Sequence, residues 1–218
     1  MISSGGSDGA EISDRQLFGE VKLALSRLSG RRLSKIEVEG PFLRSKLAWK
    51  IAVYQQAILY RIVALGTGTI RACDADDTIV GILTARAFIE TVAVLQDVAT
   101  RIERHLGRED LEEIDAIIMA KIFATRDTEM VREEAKLKST NVLTSIEALD
   151  QAFPGVLQHY NLLSERCHPN TMGHHQLFAT TDRVTGTVIF SEGKRIGRER
   201  DSALTGVMLA IFVATIDG

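Results

Sequence analysis

Between Ile79 and Leu95 the chain reads IVGILTARAFIETVAVL, apolar at every helical angle and interrupted only by Arg86 and Glu90. A helix apolar all round has no side to give to water, so this stretch is expected in the middle of a bundle. Beyond Leu95, Gln96, Asp97, Thr100, Arg101, Glu103 and Arg104 make one side polar. The helix should therefore continue to about Leu106, emerge into water and stop at Gly107.

Other segments carry the spacing of amphipathic helices. After Asp14, a suitable N-cap, Leu17, Phe18, Val21, Leu25 and Leu28 form one apolar stripe. Pro41 opens a second run, with Leu43, Leu47, Ile51, Tyr54, Ile58, Ile62 and Leu65 on one face. Gly66 and Gly68 weaken that run, leaving a bend, a stop or continuation to Cys73 as alternatives. Asp74, Asp76, Asp77 and Thr78 form an acidic turn suited to starting the central helix. Asp110 and Glu113 resemble a capping box ahead of Leu111, Ile114, Ile117, Ile118 and Ile122. Residues 126–139 are strongly charged and read as a solvated helix or connector.

Asn141 can cap a helix through Phe153; Pro154–Gly155 breaks it; Val156, Tyr160, Leu163 and Cys167 stripe the next one. The pattern then changes. Phe178–Val184 and Thr187–Ser191, around Thr185–Gly186, predict a hairpin. A polar loop, EGKRIGRER, precedes a last apolar helix capped by Asp201 or Ser202, which should pack into the bundle too. The expected fold class is mainly α: a bundle of about seven helices with a small β-hairpin near the C-terminus. Residues 1–12, polar and Gly/Ser-rich, are expected to be disordered, and 13–218 to form a single helical domain.

Composition narrows the partners without naming one. The 218 residues are 45% hydrophobic and 25% charged, ordinary for a soluble domain with its own core. A net charge of −3 argues against a broad electrostatic grip on nucleic acid, which stays possible but not indicated. Two distant cysteines, Cys73 and Cys167, read as reduced thiols in a cytoplasmic protein. The apolar segments 79–95 and 205–216 suit the core better than a membrane: the first carries a central ion pair and the second falls short of the roughly 20 residues a span needs.

Two stretches carry candidate chemistry. Arg86 and Glu90 lie one turn apart on one helix face, within reach of each other. They read either as a buried pair fixing helix register or as an anion clamp with Glu90 as orienting partner or base. If buried, loss of either should cost roughly 3–5 kcal/mol. The second stretch is YNLLSERCHPNTMGHH, from Tyr160 to His175. Pro169 disfavours helix at His168, so the helix should end at or before Cys167 and hold the imidazole just past its C-terminus. Asn170 tolerates the left-handed turn conformation. The bland alternative is a helix stop with an ordinary turn.

His168, His174 and His175 with a carboxylate have ligand chemistry for zinc or iron. Their spacing matches no metal motif, and adjacent histidines on an extended strand point apart, so no metal ligand and no cofactor is assigned. Gly66-Thr-Gly68 lacks the context of a phosphate loop. Arg61 either joins the buried charges or reaches the surface, the reading we favour.

The mid-helix R-x-x-x-E of Arg86 and Glu90, with Leu163, Ser164, Glu165, His168, Pro169 and Asn170, resembles a bacterial family of largely helical proteins of unknown function. The resemblance covers roughly residues 45–175. Such proteins are similar in outline to HEPN helical bundles, many of them toxin or phage-defence ribonucleases. The HEPN signature places four to six residues between an Arg and a His. Here Arg101 and His105 are separated by three residues and Arg166 and His174 by seven, so the signature is not met.

The expected site joins Arg86 and Glu90 to Glu165, His168 and Asn170, with a hydroxyl from Tyr160. The first functional reading is a binding or regulatory module of stress or defence type, taking a small anionic ligand or a protein partner's carboxylate, with Arg86, Tyr160, Glu165 and Asn170 as binding residues. The alternative is an enzyme, a HEPN-like ribonuclease or metal-assisted hydrolase, with His168 and Glu90 as catalytic groups. A third is a structural or homo-oligomeric role.

Overall fold

Gly66 marks the crossing point of the bundle. A Cβ there would stand 2.6 Å from a methyl of Leu25 and 3.0 Å from the Phe88 ring, so three helices approach where this residue has no side chain. They are α1 (Asp14–Gly30), α3 (Lys46–Asp74) and α4 (Thr78–Leu106). The structure is a computed structural model, and it describes residues 14–124, 127–133 and 141–191. The expected N-terminal disorder, the polar loop 192–200 and the last helix lie outside the described residues.

The chain is mainly α with a small antiparallel hairpin near its C-terminal end. Helix α4 packs against α3, α5 (Leu111–Ile122), α7 (Val142–Ala152) and α8 (Val156–Cys167). Its Ile82, Ala85, Phe88, Ile89, Val92 and Ala93 meet Val21 and Leu25 of α1, Ile62 of α3, Ile146 and Leu149 of α7, and Leu163 of α8 in the main core. Tyr54, Val98, Ile117 and Ile118 make a second, smaller cluster. By length and composition α4 could cross a membrane, but 44% of its most apolar stretch is buried inside the bundle.

Helix α4 is central, though not enclosed. Val80 and Leu83, in its first turns, are 40% and 46% exposed among the described residues. The far end does emerge into water at Thr100, Glu103 and Arg104.

The single run expected from Phe42 to Leu65 is two helices. After α2 (Pro41–Arg44), Ser45 turns extended (φ −141°, ψ 104°) and its hydroxyl accepts from Ala48 N–H, restarting the chain as α3. Leu43 is left 71% exposed on the short first piece. Helix α3 then passes through both glycines to Asp74, because packing at Gly66 outweighs their poor helix propensity.

Caps follow the expected chemistry. Asp77 accepts from Val80 N–H at the start of α4, Asp110 from Glu113 N–H before α5, and Asn141 from Leu143 N–H before α7. Gly107 ends α4 without turning left-handed; Glu109 (φ 58°) takes the positive φ instead. Within the charged segment a short α6 spans Thr128–Glu133. Gly155 (φ 105°) takes a conformation open to few side chains, and its N–H and that of Leu157 both bond to Asp150 Oδ1. The hairpin pairs β1 (Ala179–Thr181) with β2 (Val188–Phe190), Ala179 opposite Phe190. Asp182 closes its turn by accepting from the N–H groups of Val184 and Thr185 and the Thr185 hydroxyl, leaving Val184 fully in solvent.

Candidate functional site

Helix α4 contributes Arg86 and Glu90, and α8 contributes Tyr160 and, two turns on along the same face, Cys167. Arg86 Nε lies 3.2 Å from Glu90 Oε1. The Nε–H finds no acceptor within hydrogen-bond geometry, so the contact is ionic and that donor is buried but unused. Tyr160 ties the pair to α8. Its hydroxyl donates to Glu90 Oε1 at 3.0 Å and accepts from Arg86 Nη2 at 3.4 Å, while the guanidinium carbon sits 5.5 Å from the centre of its ring.

The pair is neither sealed nor free. The Arg86 and Glu90 side chains keep 30% and 28% of their surface accessible, which removes the premise of full burial. Burial pulls the Arg86 pKa down, but the Tyr160 hydrogen bond and the Glu90 charge, with Tyr160 and Cys167 adding, outweigh it and hold the group firmly cationic. Burial pushes the Cys167 thiol up and Glu90 adds to this; Arg86 opposes both without reversing the outcome. The Cys167 thiol is thus held protonated at neutral pH.

The segment after α8 forms the expected turn. The helix ends at Cys167, and His168 is extended (φ −80°, ψ 144°) and exposed. Asn170 is extended too (φ −109°), not left-handed. Its Oδ1 accepts from Gly173 N–H at 2.9 Å and its Nδ2 donates to Glu165 Oε2 at 3.1 Å. Gly173 is buried against this turn: a Cβ there would overlap the His168 carbonyl oxygen.

The expected residues therefore form two groups. Arg86, Glu90 and Tyr160 are together, and Glu165 and Asn170 are together. Glu165 lies five positions after Tyr160, roughly 140° around the helix, which aims Glu165 outward. Among the described residues no hydrogen bond or ion pair joins the two groups or brings in the His168 ring. They are linked through the backbone, since Cys167, beside Arg86, precedes His168.

The histidines downstream do not lie on a strand. Thr171–His175 is one π-helical turn, continuous with the short α9 (Gln176–Phe178). His174 is exposed there, and His175 Nε2 lies 3.2 Å from Thr181 Oγ1. Among the described residues no three His, Cys, Asp or Glu side chains gather as a metal site. Arg61 is exposed and donates from Nε to Thr91 Oγ1 at 3.1 Å, which agrees with a surface-reaching side chain.

Two features escaped the sequence reading. Cys167 completes the surroundings of Arg86, a role signalled only by its seven-residue spacing from Tyr160. A cleft of about 470 Å³ opens elsewhere, between the α3–α4 turn (Asp76, Asp77, Ile79) and Leu177, Phe178 and Ser191. None of the expected site residues lines it. Comparison with known proteins finds no matching family, no matching curated protein and no matching solved structure.

Proposed function

We propose that this protein is a binding or regulatory module in which Arg86 receives an anionic group, from a small ligand or from a partner's carboxylate. The observation carrying this reading is the guanidinium's intermediate exposure: about a third of the side chain is accessible, and it is held in place by Glu90 and Tyr160. A guanidinium offers five N–H donors in a planar fork, and a fixed fork loses less entropy on gripping a carboxylate or phosphate. The neighbouring Glu90 sets the selectivity, because an incoming anion must outcompete or tilt that carboxylate. The reduced thiols fit a cytoplasmic setting, and a bacterial stress or defence role rests on the resemblance of the R-x-x-x-E and His-Pro-Asn segments.

The test is a thermal-melt titration with inorganic phosphate and, separately, with succinate. A ligand that binds only the folded chain raises stability by RT ln(1 + [L]/Kd). Wild type should gain stability at millimolar anion and Arg86→Gln should not. Equal gains in both proteins would remove Arg86 from binding.

A second reading keeps His168 as acid or base of a hydrolase acting on RNA; its exposed position one residue past Cys167 favours access to a large substrate. Labelled RNA incubated with wild type and with His168→Ala discriminates: cleavage lost in the variant supports it, and equal cleavage removes His168 from the reaction.

A further inference from the structure

The chain carries a net charge of −3, yet residues 31–46, RRLSKIEVEGPFLRSK, hold five basic side chains against Glu37 and Glu39, a local charge of +3. This stretch links α1 to α3 and runs back along α3. One end is held where Leu33 N–H donates to Gln56 Oε1 and the Tyr60 hydroxyl donates to the Leu33 carbonyl. The other end is Ser45, where α3 starts. The stretch therefore follows α3 from Ser45 to Gln56, roughly 16 Å of helix at about 1.5 Å per residue.

Its cations are available. Arg31, Arg44 and Lys46 are exposed and pair with no carboxylate among the described residues. Lys35 meets Glu37 in an exposed contact that water screens. Arg32 donates to Ser29 and lies 4.9 Å from the centre of the Tyr60 ring, which fixes its charge in place. Interleaved with these cations stand Leu33, Val38 and Leu43, each more than half exposed. Leu43 sits on the four-residue α2, none of whose residues is buried. Aliphatic side chains left in water among positive charges gain most from a surface that is anionic outside and apolar just beneath.

We propose that residues 31–46 dock the protein on an anionic phospholipid surface, with the cations at the headgroups and Leu33, Val38 and Leu43 in the acyl boundary, and with no span across the bilayer. Attachment of this kind adds buried apolar area to the attraction between basic residues and anionic lipid. A protein partner suits the segment less. Protein interfaces gather apolar residues into one core with charges at the rim, whereas here the two alternate along the chain. Nucleic acid would use the cations and leave the three aliphatic side chains in water.

Flotation of the full chain with lipid vesicles tests this. At low salt the protein should be recovered with vesicles of phosphatidylcholine and phosphatidylglycerol, and not with phosphatidylcholine alone. Each basic side chain near an anionic surface is worth roughly fivefold in partition, so Arg44→Gln/Lys46→Gln should bind roughly 25-fold more weakly. Leu43→Ser should also weaken recovery, which a purely electrostatic contact would not show. No recovery with the anionic vesicles, or equal recovery with both kinds, would overturn the proposal. A labelled RNA oligonucleotide supplies the competing arm. Retention by wild type and Leu43→Ser alike, lost in Arg44→Gln/Lys46→Gln and without flotation of any of the three, would overturn lipid docking in favour of nucleic acid.

Discussion

The Tyr160 hydroxyl donates to Glu90 Oε1 at 3.0 Å and stands within 3.4 Å of Arg86 Nη2, so one phenol from α8 contacts both charges of α4. Its ring lies in the main core while its oxygen serves the ion pair. Helix packing and charge placement are therefore coupled at a single side chain. Tyr160→Phe keeps the ring and removes the oxygen, and should cost about 1.5–3 kcal/mol, the range for a hydrogen bond to a charged group. Urea unfolding measures it. In a double-mutant cycle with Glu90→Gln the two losses should be less than additive; additive losses would mean that the hydroxyl and the carboxylate act separately.

Arg86→Ala and Glu90→Ala should each destabilise by roughly 1–3 kcal/mol, below the 3–5 kcal/mol expected of a fully buried pair, because water still screens nearly a third of both side chains. Chemical denaturation decides between the ranges. A loss of 4 kcal/mol or so for either variant would show the pair to be effectively dry.

Gly66 and Gly68 lie two residues apart in α3 and should respond to alanine with opposite signs. At Gly66 the added carbon meets Leu25 and Phe88 inside the core, and overpacking of this kind costs about 1–3 kcal/mol. At Gly68 the nearest atom is a Thr84 methyl at 3.5 Å, an ordinary contact, so the gain in helix propensity of about 0.5–1 kcal/mol should survive. Melting temperatures of Gly66→Ala and Gly68→Ala should move down and up respectively. Movement in the same direction would contradict the packing described for this crossing.

His159 should make the fold sensitive to mild acid. Burial lowers its pKa from the ordinary 6.5, so between the two values the unfolded chain binds a proton that the folded chain does not. Stability associated with the neutral ring is complete above about 6.5 and is lost as pH falls through the lower, folded value. Compared between about pH 7.5 and 5.5, wild type should lose more stability than His159→Gln. Parallel pH profiles would place the acid sensitivity on another group.

Tyr54 works at the other end of the scale. Burial, reinforced by the Asp97 charge, pushes its phenol from 10.0 up to about 12. Its contribution is fully present below 10.0 and is lost as pH rises through about 12. Ultraviolet titration should show a late phenol ionisation that is lost in Tyr54→Phe.

The helices were legible because each depends on local rules: stripes at Val21, Leu25 and Leu28, at Ile146 and Leu149, and at Val156, Tyr160 and Leu163 all proved to be core faces. The same rules located the caps at Asp77, Asp110 and Asn141 and the end of α8 before Pro169. What escaped depends on contacts distant in sequence. Gly66 reads as a weak helix residue until Leu25 and Phe88 are brought beside it. The exposure of Val80 and Leu83 is invisible to a rule that counts apolar angles alone. The candidate site was half legible: Arg86, Glu90 and Tyr160 share one face-to-face contact between α4 and α8. Glu165 and Asn170 were expected with them, but the rotation of α8 turns Glu165 outward, and Asn170, in the turn beyond the helix, bonds to Glu165 instead.

The space at Gly173, where a Cβ would meet the His168 carbonyl, restricts which sequences can form this turn. A chain carrying His-Pro-Asn but any side chain five places after the histidine cannot close its backbone in this way. The tripeptide by itself is thus not enough to specify this turn; the spelling H-P-N-x-x-G is what its backbone requires.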